Sequence, residues 1–327
     1  MDKVYKQGLY LSEIAEDAAH GGAGWSPRTE SLRQEIGTIW RTCGVDSEWA
    51  RLNAVLAHRP GPEIDAITDA NKALMFDIPK AALARQQHDG LVEAYRSAGV
   101  TVFYVEPRDI PPPNLMFVAD LLFMTPEGAI LARPASTVRA GEERFVAQRL
   151  TELGIPILRC IRGKGVFEGA DASWIDCKTA IIATGLRTNT EGATQVTHLL
   201  QEMDVEVIRV NLPHGAMHLM GTLRFVDGDH AVCWRTRTPH AAVKALRNHG
   251  YAVSFLPDEE EAIHGMALNF VTLGPSRILM PACNPKTQSF YEDMGIKCEA
   301  VEVDEIHKAA GGIGCLTGVL KRESTAN

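Results

Sequence analysis

Apolar and polar positions along the chain recur in a unit of about 50 residues, a period that signals a repeat architecture. Each unit reads as a pair of apolar strand-like runs, a helical stretch, a tight turn and a short β-rich run. The helix-to-strand junctions are the clearest marks: Ala98-Gly99-Val100, Leu153-Gly154-Ile155, His249-Gly250-Tyr251 and Met294-Gly295-Ile296. In the third unit Met203-Asp204-Val205 stands where the others have glycine. A helix end followed by a sharp turn calls for glycine or a residue that tolerates the left-handed conformation. Strand patterns follow each junction, over 100–105, 155–158, 205–210, 251–256 and a more polar 298–303. Before the helices lie hairpins, such as Leu121-Leu122-Phe123-Met124 and Ala129-Ile130-Leu131 around Pro126-Glu127-Gly128. A second runs from Leu223-Arg224-Phe225-Val226 through Asp227-Gly228-Asp229 to Ala231-Val232-Cys233-Trp234. In the helical stretches apolar residues such as Phe145, Leu150 and Leu153 keep to one side.

This pattern predicts five ββαβ-like units. A unit that cannot bury both sides of its sheet must pack against neighbours, and five can close into a ring. An open α/β sheet with irregular crossovers is the alternative. Either way, residues 46–327 read as a single α/β domain. Residues 1–45 fall outside the repeat as an N-terminal extension, with a mobile segment expected at Gly21-Gly22-Ala23-Gly24 and no function assigned.

Composition narrows the class. A hydrophobic fraction of 45% and a charged fraction of 23% suit a globular protein. A net charge of −8 argues against a nucleic-acid partner, which needs a basic face to displace counterions. No apolar run reaches the roughly 18–20 residues of a membrane span. The start Met1-Asp2-Lys3-Val4-Tyr5-Lys6 lacks the apolar core of a secretion signal, so a cytoplasmic protein is expected. The seven cysteines, 43, 160, 177, 233, 283, 298 and 315, show neither a disulfide framework nor zinc-ligand spacing. Cys160 and Cys233 end apolar runs, and a buried inert thiol is the reading for both.

In a ring of repeats, equivalent positions converge. Before the units' first strands stand Phe117-Val118-Ala119-Asp120, Phe167-Glu168-Gly169-Ala170-Asp171, His218-Leu219-Met220-Gly221 and Ala267-Leu268-Asn269. The turn after the fifth unit leads to Gly311-Gly312-Ile313-Gly314-Cys315. Acid, acid, histidine and cysteine at one level make a coherent chemistry. A thiolate attacks an electrophilic carbon, an imidazole protonates the leaving amine and then activates water, and carboxylates hold a cation. The glycines before Cys315 are expected to permit close approach to a ligand and positive φ. Each residue has a plainer reading: Cys315 as a small buried hydrophobe, His218 as structural, Asp120 and Asp171 as turn or cap residues.

With these residues in place, the chain resembles the guanidine-modifying superfamily of arginine deiminases, dimethylarginine dimethylaminohydrolases, agmatine deiminases and amidinotransferases. The resemblance covers residues 46–321. It opens on Glu48-Trp49-Ala50-Arg51-Leu52 and Val55-Leu56-Ala57-His58-Arg59-Pro60-Gly61. It continues through the acidic motifs, Arg139-Ala140-Gly141-Glu142, Gly185-Leu186-Arg187-Thr188-Asn189, His218-Leu219 and the Cys315 turn. It implies the pentein fold, a five-bladed α/β propeller of pseudo-fivefold ββαβ repeats. It also implies a catalytic set of Cys315 as nucleophile, His218 as general acid and base, and Glu168, with Glu168 and the substrate-binding Asp120 as carboxylates that bind or lie near the guanidinium. Arg187 and Arg139 resemble residues that engage a substrate carboxylate, and Asp171 joins the substrate-binding set. Deiminases and amidinotransferases carry an acid two residues beyond the histidine; here Met220 stands there, and the dimethylarginine hydrolases also lack that acid. Ala119 replaces a charged residue of relatives, which suggests a less charged pocket.

The expected activity is hydrolysis of a C–N bond in an N-substituted arginine or related guanidino compound, through a covalent S-alkylthiouronium. No cofactor or metal is called for, and the partner is the small-molecule substrate, with homo-oligomerisation left open. An amidinotransferase, in which an amine captures the same intermediate, is the second reading. A ligand-binding propeller without catalysis is the third.

Overall fold

The computed structural model describes residues 16–326; the start Met1–Lys6 and the rest of the first fifteen residues of the expected extension lie outside the described residues. The chain divides into two compact units, Met1–Glu35 and Ile36–Asn327. In the first, a short 3-10 turn at Ala18–His20 ends on Gly21 at φ 91°, and Leu32–Glu35 form one helical turn. In the second, residues 36–45 belong to the compact body although not to its repeat. Gly44 N donates to Leu320 O at 2.9 Å, and Arg41 Nε to Leu153 O at 2.7 Å.

Five three-stranded sheets make up the larger unit. Four follow the chain directly: β3 (Leu122–Thr125), β4 (Gly128–Leu131) and β5 (Ile157–Cys160); β6 (Ala172–Asp176), β7 (Thr179–Thr184) and β8 (Glu206–Asn211). The next two are β9 (Leu223–Phe225), β10 (His230–Cys233) and β11 (Ala252–Phe255), then β12 (Val271–Gly274), β13 (Arg277–Pro281) and β14 (Lys297–Val301). The remaining sheet joins the ends of the repeat. β15 (Gly318–Arg322) pairs antiparallel with β1 (Leu52–Ala57), which pairs parallel with β2 (Thr101–Tyr104). So the C-terminal strand supplies the first strand of the first unit.

In every sheet the middle strand is antiparallel to one neighbour and parallel to the other. The parallel step needs a crossover, which a helix provides each time. These are α1 (Ala81–Ser97), α2 (Glu142–Leu153), α3 (Thr190–Glu202), α4 (His240–Asn248) and α5 (Pro285–Asp293). All five helices turn into their next strand through a left-handed residue: Gly99, Gly154, Asp204, Gly250 and Gly295, at φ between 58° and 86°. Asp204 therefore does the work that glycine does elsewhere, as the sequence pattern indicates.

The first two strands of each sheet are mostly buried and the third is half-exposed. β3, β4 and β12 are buried throughout, whereas β2, β5, β8, β11 and β14 are half-exposed edges. Charged residues such as Arg159, Arg209 and Glu299 blunt those edges against further pairing. Cys160 ends one of them and is exposed, which corrects the expectation of a buried thiol; Cys233 is buried. The apolar cores lie between successive units. Ile181 and Ala231 share one cluster, Val232 and Ile278 a second, Leu279 and Val55 a third, and Leu56 and Leu122 a fourth, so that the clusters pass from one sheet to the next. Each unit is buried on both sides by its neighbours, so five sheets close on themselves. That closure explains why positions preceding each first strand meet.

Candidate active site

Three short 3-10 turns, Val118–Asp120, Gly169–Asp171 and Leu219–Gly221, each stand directly before a first strand. Asn269 lies at the equivalent point before β12, and Cys315 before β15. The repeat therefore places one polar side chain, or a pair, at the same level of all five units.

The Cys315 turn is built by close packing. A Cβ on Gly311 would lie 2.3 Å from the Phe117 ring, and one on Gly314 would lie 2.0 Å from Arg224 Nη2. None of Gly311, Gly312 and Gly314 has a positive φ; the left-handed residue is Ala310, at 67°. The glycines are thus needed for approach to Phe117, Asn269 and Arg224, not for the backbone conformation expected of them. Asn269 holds the turn: its Oδ1 accepts from Gly314 N at 2.7 Å, and its Nδ2 donates to Cys315 Sγ at 3.2 Å. Ala119 N donates to Cys315 O at 3.1 Å, tying the turn to the one that carries Asp120. Thr317 Oγ1 donates to Ile313 O at 2.7 Å and meets Tyr95 Oη at 2.7 Å.

Opposite the sulfur lies a buried network. His218 Nε2 bonds Glu168 Oε2 at 2.7 Å and lies 3.8 Å from Asp120 Oδ1. Arg139 Nη1 donates to Asp120 Oδ2 at 2.5 Å, and Arg139 Nε donates to Glu142 Oε2 at 2.9 Å. Arg187 Nη1 reaches Glu168 Oε2 at 3.3 Å, and Ala135 N donates to Glu168 Oε1 at 3.1 Å. Asp171 is fully buried, accepting from Thr188 Oγ1 at 2.6 Å and from Leu219 N at 3.0 Å. Arg187-Thr188-Asn189 thus sends three neighbours to three tasks: Arg187 to Glu168, Thr188 to Asp171, and Asn189 Oδ1 to cap α3 through Gly192 N at 2.8 Å.

Two carboxylate oxygens of this network, Asp120 Oδ1 and Glu142 Oε1, are buried without a hydrogen-bond partner among the described residues, and only Asp120 lines the cavity at Cys315. That small cavity is lined also by Arg139, Arg187, Met217 and His218. A second, larger cavity of about 400 Å³ shares Met217, His218 and Cys315 with it. Glu168 and Asp171 line neither. Ala119 also lines neither and faces a cavity with Val45, Glu48 and Met124. Met220 does line the larger cavity.

Electrostatics set the protonation states. Burial works against a charge on His218, but Asp120, the hydrogen bond to Glu168, and Asp171 outweigh it and raise the imidazole to about 9. Burial would raise Glu168, yet the His218 bond and the charges of His218, Arg139 and Arg187 hold it down at about 2. Burial lifts Asp171 to about 6 against His218, Thr188 and the Leu219 amide, and lifts Glu142 to about 8 against Arg139. These directions leave Glu168 ionised and His218 protonated at neutral pH. The Cys315 thiol is raised by burial and then by Asp120, while the Gly312 backbone, Asn269 and Arg224 pull the other way.

These shifts make stability depend on pH. The folded value of His218 lies above its unfolded value near 6.5, so its contribution is full below that pH and is lost as pH climbs through about 9. Glu168 is depressed from about 4.5, so its contribution holds above that value and fades as pH falls through about 2. The urea midpoint is expected to decline between pH 6.5 and 9, and Glu168→Gln to flatten that decline. An equally steep decline in the variant would assign it to other groups.

Asp120, Glu168 and His218 offer three ligand atoms within 4.8 Å of one another, a donor set of metal-site type. Arg139 lies against both carboxylates, at 2.5 and 3.7 Å, and His218 Nε2 is committed to Glu168. The set is already neutralised by these groups and does not fit a dication.

Residues 65–320 match the family described as N,N dimethylarginine dimethylhydrolase, eukaryotic, over most of the chain. The chain belongs to the N,N dimethylarginine dimethylhydrolase family. Its relatives in that family include the N(G),N(G)-dimethylarginine dimethylaminohydrolase of Streptomyces coelicolor, 28% identical over 72% of this chain and 85% of that one. Among solved structures, a mutant of the Pseudomonas aeruginosa dimethylarginine dimethylaminohydrolase complexed with citrulline superposes with a TM-score of 0.69. The identity is 23%, covering 82% of this chain and 98% of that one. An amidinotransferase of saxitoxin biosynthesis from Microseira wollei superposes with a TM-score of 0.70 at 16% identity, covering 87% and 98%. These superpositions identify the pentein fold that five ββαβ units predict. No helix of the described residues of this dimethylarginine dimethylhydrolase family member is long and apolar enough to cross a membrane.

Sequence reasoning overlooked Glu142 and Thr188, which support Arg139 and Asp171, and gave Asn269 no role although it occupies the fourth equivalent position. That position was the available signal.

Proposed function

We propose that the protein is a cysteine-dependent hydrolase that cleaves a C–N bond of a guanidino compound, with residues 46–327 as its catalytic domain. The observation that carries this reading is Asp120 Oδ1, a buried acceptor without a partner, in one small cavity with Cys315 and His218. A buried carboxylate oxygen left open in this way suits a cationic N–H donor, and a guanidinium supplies several.

In this scheme Asp120 binds the guanidinium and Cys315 thiolate attacks its central carbon. The C–N bond to the leaving nitrogen breaks as His218 protonates that nitrogen, which departs as an amine. The sulfur is left bound to a carbon bearing two nitrogens, an S-alkylthiouronium. Water deprotonated by His218 then adds to that carbon, the C–S bond breaks, and a ureido product forms. The net change consumes one water and converts the guanidinium into a neutral ureido compound and a protonated amine. A thiol held high by burial and by Asp120 ionises more readily once a cation meets Asp120, so substrate binding favours the reactive form.

Glu168, Asp171, Arg139 and Arg187 are positioning residues here. Glu168 keeps His218 oriented and protonated. Asp171 fixes the turn behind the histidine through the Leu219 amide. Arg139 is engaged with Asp120 and Glu142, and Arg187 with Glu168, so neither is free in the way a dedicated substrate-carboxylate ligand would be.

Replacing Asp120 with asparagine is expected to lower kcat/KM for guanidino substrates by roughly ten- to a hundredfold, the loss of one charged hydrogen bond. The same change should make Cys315 react faster with iodoacetamide near neutral pH, because a neighbouring negative charge is removed. Unchanged kcat/KM would defeat the assignment of Asp120.

A further inference from the structure

Another cavity, of about 60 Å³, lies behind the Cys315 turn. Leu219 and Gly314, the immediate neighbours of His218 and Cys315, bound it, but neither of those two catalytic side chains lines it. Two guanidiniums do, Arg224 of β9 and Arg322 of β15. Nε and Nη2 of Arg224 are buried without a hydrogen-bond partner among the described residues, and so is Arg322 Nε. Arg322, only 4% exposed, is fixed through Nη1, which donates to Ala50 O at 2.6 Å and Thr272 O at 2.8 Å. Arg224 lies 5.8 Å from the centroid of the Phe270 ring, with Nη2 in the space that a Cβ on Gly314 would take. Neither arginine has a carboxylate at ion-pair distance among the described residues. Glu48 is the one acid among the lining residues, and its Oε1 accepts from Trp174 N at 3.0 Å.

Two unpaired guanidiniums against one carboxylate leave a net positive charge in a space largely removed from water, which is costly. Burial lowers Arg224, with Glu48 and Cys315 pulling the other way. Burial also lowers Arg322, to about 10, against Glu48, and the charge of Arg224 lowers it further. Arginine holds its proton too firmly to relieve this imbalance by titration. An anion relieves it by accepting from the open N–H groups. The cavity is far smaller than the roughly 300–1,000 Å³ that an organic ligand occupies, yet it exceeds the roughly 10–15 Å³ that one water needs. Leu223, Val271 and Val319 supply apolar wall, which favours a weakly hydrated monovalent ion over a dianion that is harder to dehydrate.

We propose that this cavity is a binding site for a small monovalent inorganic anion of the halide class, held between Arg224 and Arg322. The site is separate from the substrate pocket and reaches the nucleophile from behind. Burial and then Asp120 raise the Cys315 thiol, and Arg224 is among the groups that pull it down. A bound anion offsets the charge of Arg224 across the Gly314 backbone. Occupancy therefore holds the thiol neutral and slows its reactions, so halide concentration modulates Cys315 without competing for the guanidinium site.

Crystals of the full chain grown with sodium bromide, measured at the bromine edge, are expected to show an anomalous peak at hydrogen-bond distance from Arg224 and Arg322. In solution the thermal midpoint should rise saturably as chloride replaces gluconate at constant ionic strength, as ligand linkage requires. Over the same titration, alkylation of Cys315 by iodoacetamide at neutral pH should slow by roughly two- to tenfold, following the thiolate fraction. Arg224→Met should remove the peak and both chloride responses, and Arg224→Gln gives the same comparison if the methionine variant does not fold. A cavity holding only water at high bromide, or a parent chain that responds alike to chloride and gluconate, would overturn the proposal. A bromide peak without a saturable chloride effect in solution would mean an adventitious ion only and would overturn it equally. None of these measurements uses turnover, so their failure leaves the hydrolase reading intact, and failure of that reading leaves them unchanged.

Discussion

Replacing Cys315 with serine is expected to reduce turnover of guanidino substrates by roughly 10³-fold or more, with the unfolding midpoint little changed. The sulfur is the one strong nucleophile at the convergence of the five units, and it adjoins the open oxygen of Asp120. Its surroundings favour the neutral thiol before substrate arrives, since burial and Asp120 both oppose the thiolate. A serine hydroxyl starts far less acidic, and the same surroundings would keep it protonated even with a bound cation. The fold should tolerate the change, because Asn269 Nδ2 can donate to an oxygen as it does to Sγ, and the glycine packing around the turn is untouched. Calorimetry on the variant is expected to show guanidino-substrate binding retained. Steady-state activity within tenfold of the parent would exclude Cys315 as nucleophile.

His218→Gln is expected to have the second-largest effect, lowering kcat by roughly 10²–10⁴-fold, the usual reach of a general acid–base group. The loss should depend on the leaving nitrogen. A substrate that expels a weakly basic amine needs little protonation, so it should recover much of the rate in the formation of the intermediate, seen as a burst of released amine. Hydrolysis of that intermediate still requires a base, so the steady state should stay slow. In the parent enzyme, the raised value of about 9 keeps His218 protonated through neutral pH, and kcat should fall as pH climbs through that value. Equal losses for good and poor leaving groups would remove His218 from the role of acid.

The repeat was legible because a left-handed turn after each helix is a local demand that local residues must meet, whether by Gly99 or by Asp204. The level at which Asp120, Glu168, His218 and Cys315 meet was also legible, because every one of them precedes a first strand by a few residues. Ring closure was expected of five packed units, but the strand that makes it was not legible, since it depends on β15 pairing with β1 across almost the whole chain. Nor was the division of labour among the carboxylates. Sequence sets both Asp120 and Glu168 near the guanidinium, and only the fold shows one with an open oxygen in a cavity and the other bound to the histidine. Arg139 reads as a substrate ligand until three acids are seen around its guanidinium. The glycines before Cys315 misled in a similar way. Their value lies in what a Cβ would strike, Phe117 and Arg224, residues about 195 and 90 positions away that only tertiary structure brings near.

The central claim is that the guanidino carbon becomes bonded to Cys315. Rapid acid quench during turnover, followed by intact mass and peptide mapping, measures this directly. The account predicts a transient adduct whose mass equals the substrate less its leaving amine, located on the peptide that contains Cys315. Turnover at full rate with the thiol unmodified at every quench time, or an adduct on another cysteine, would contradict it.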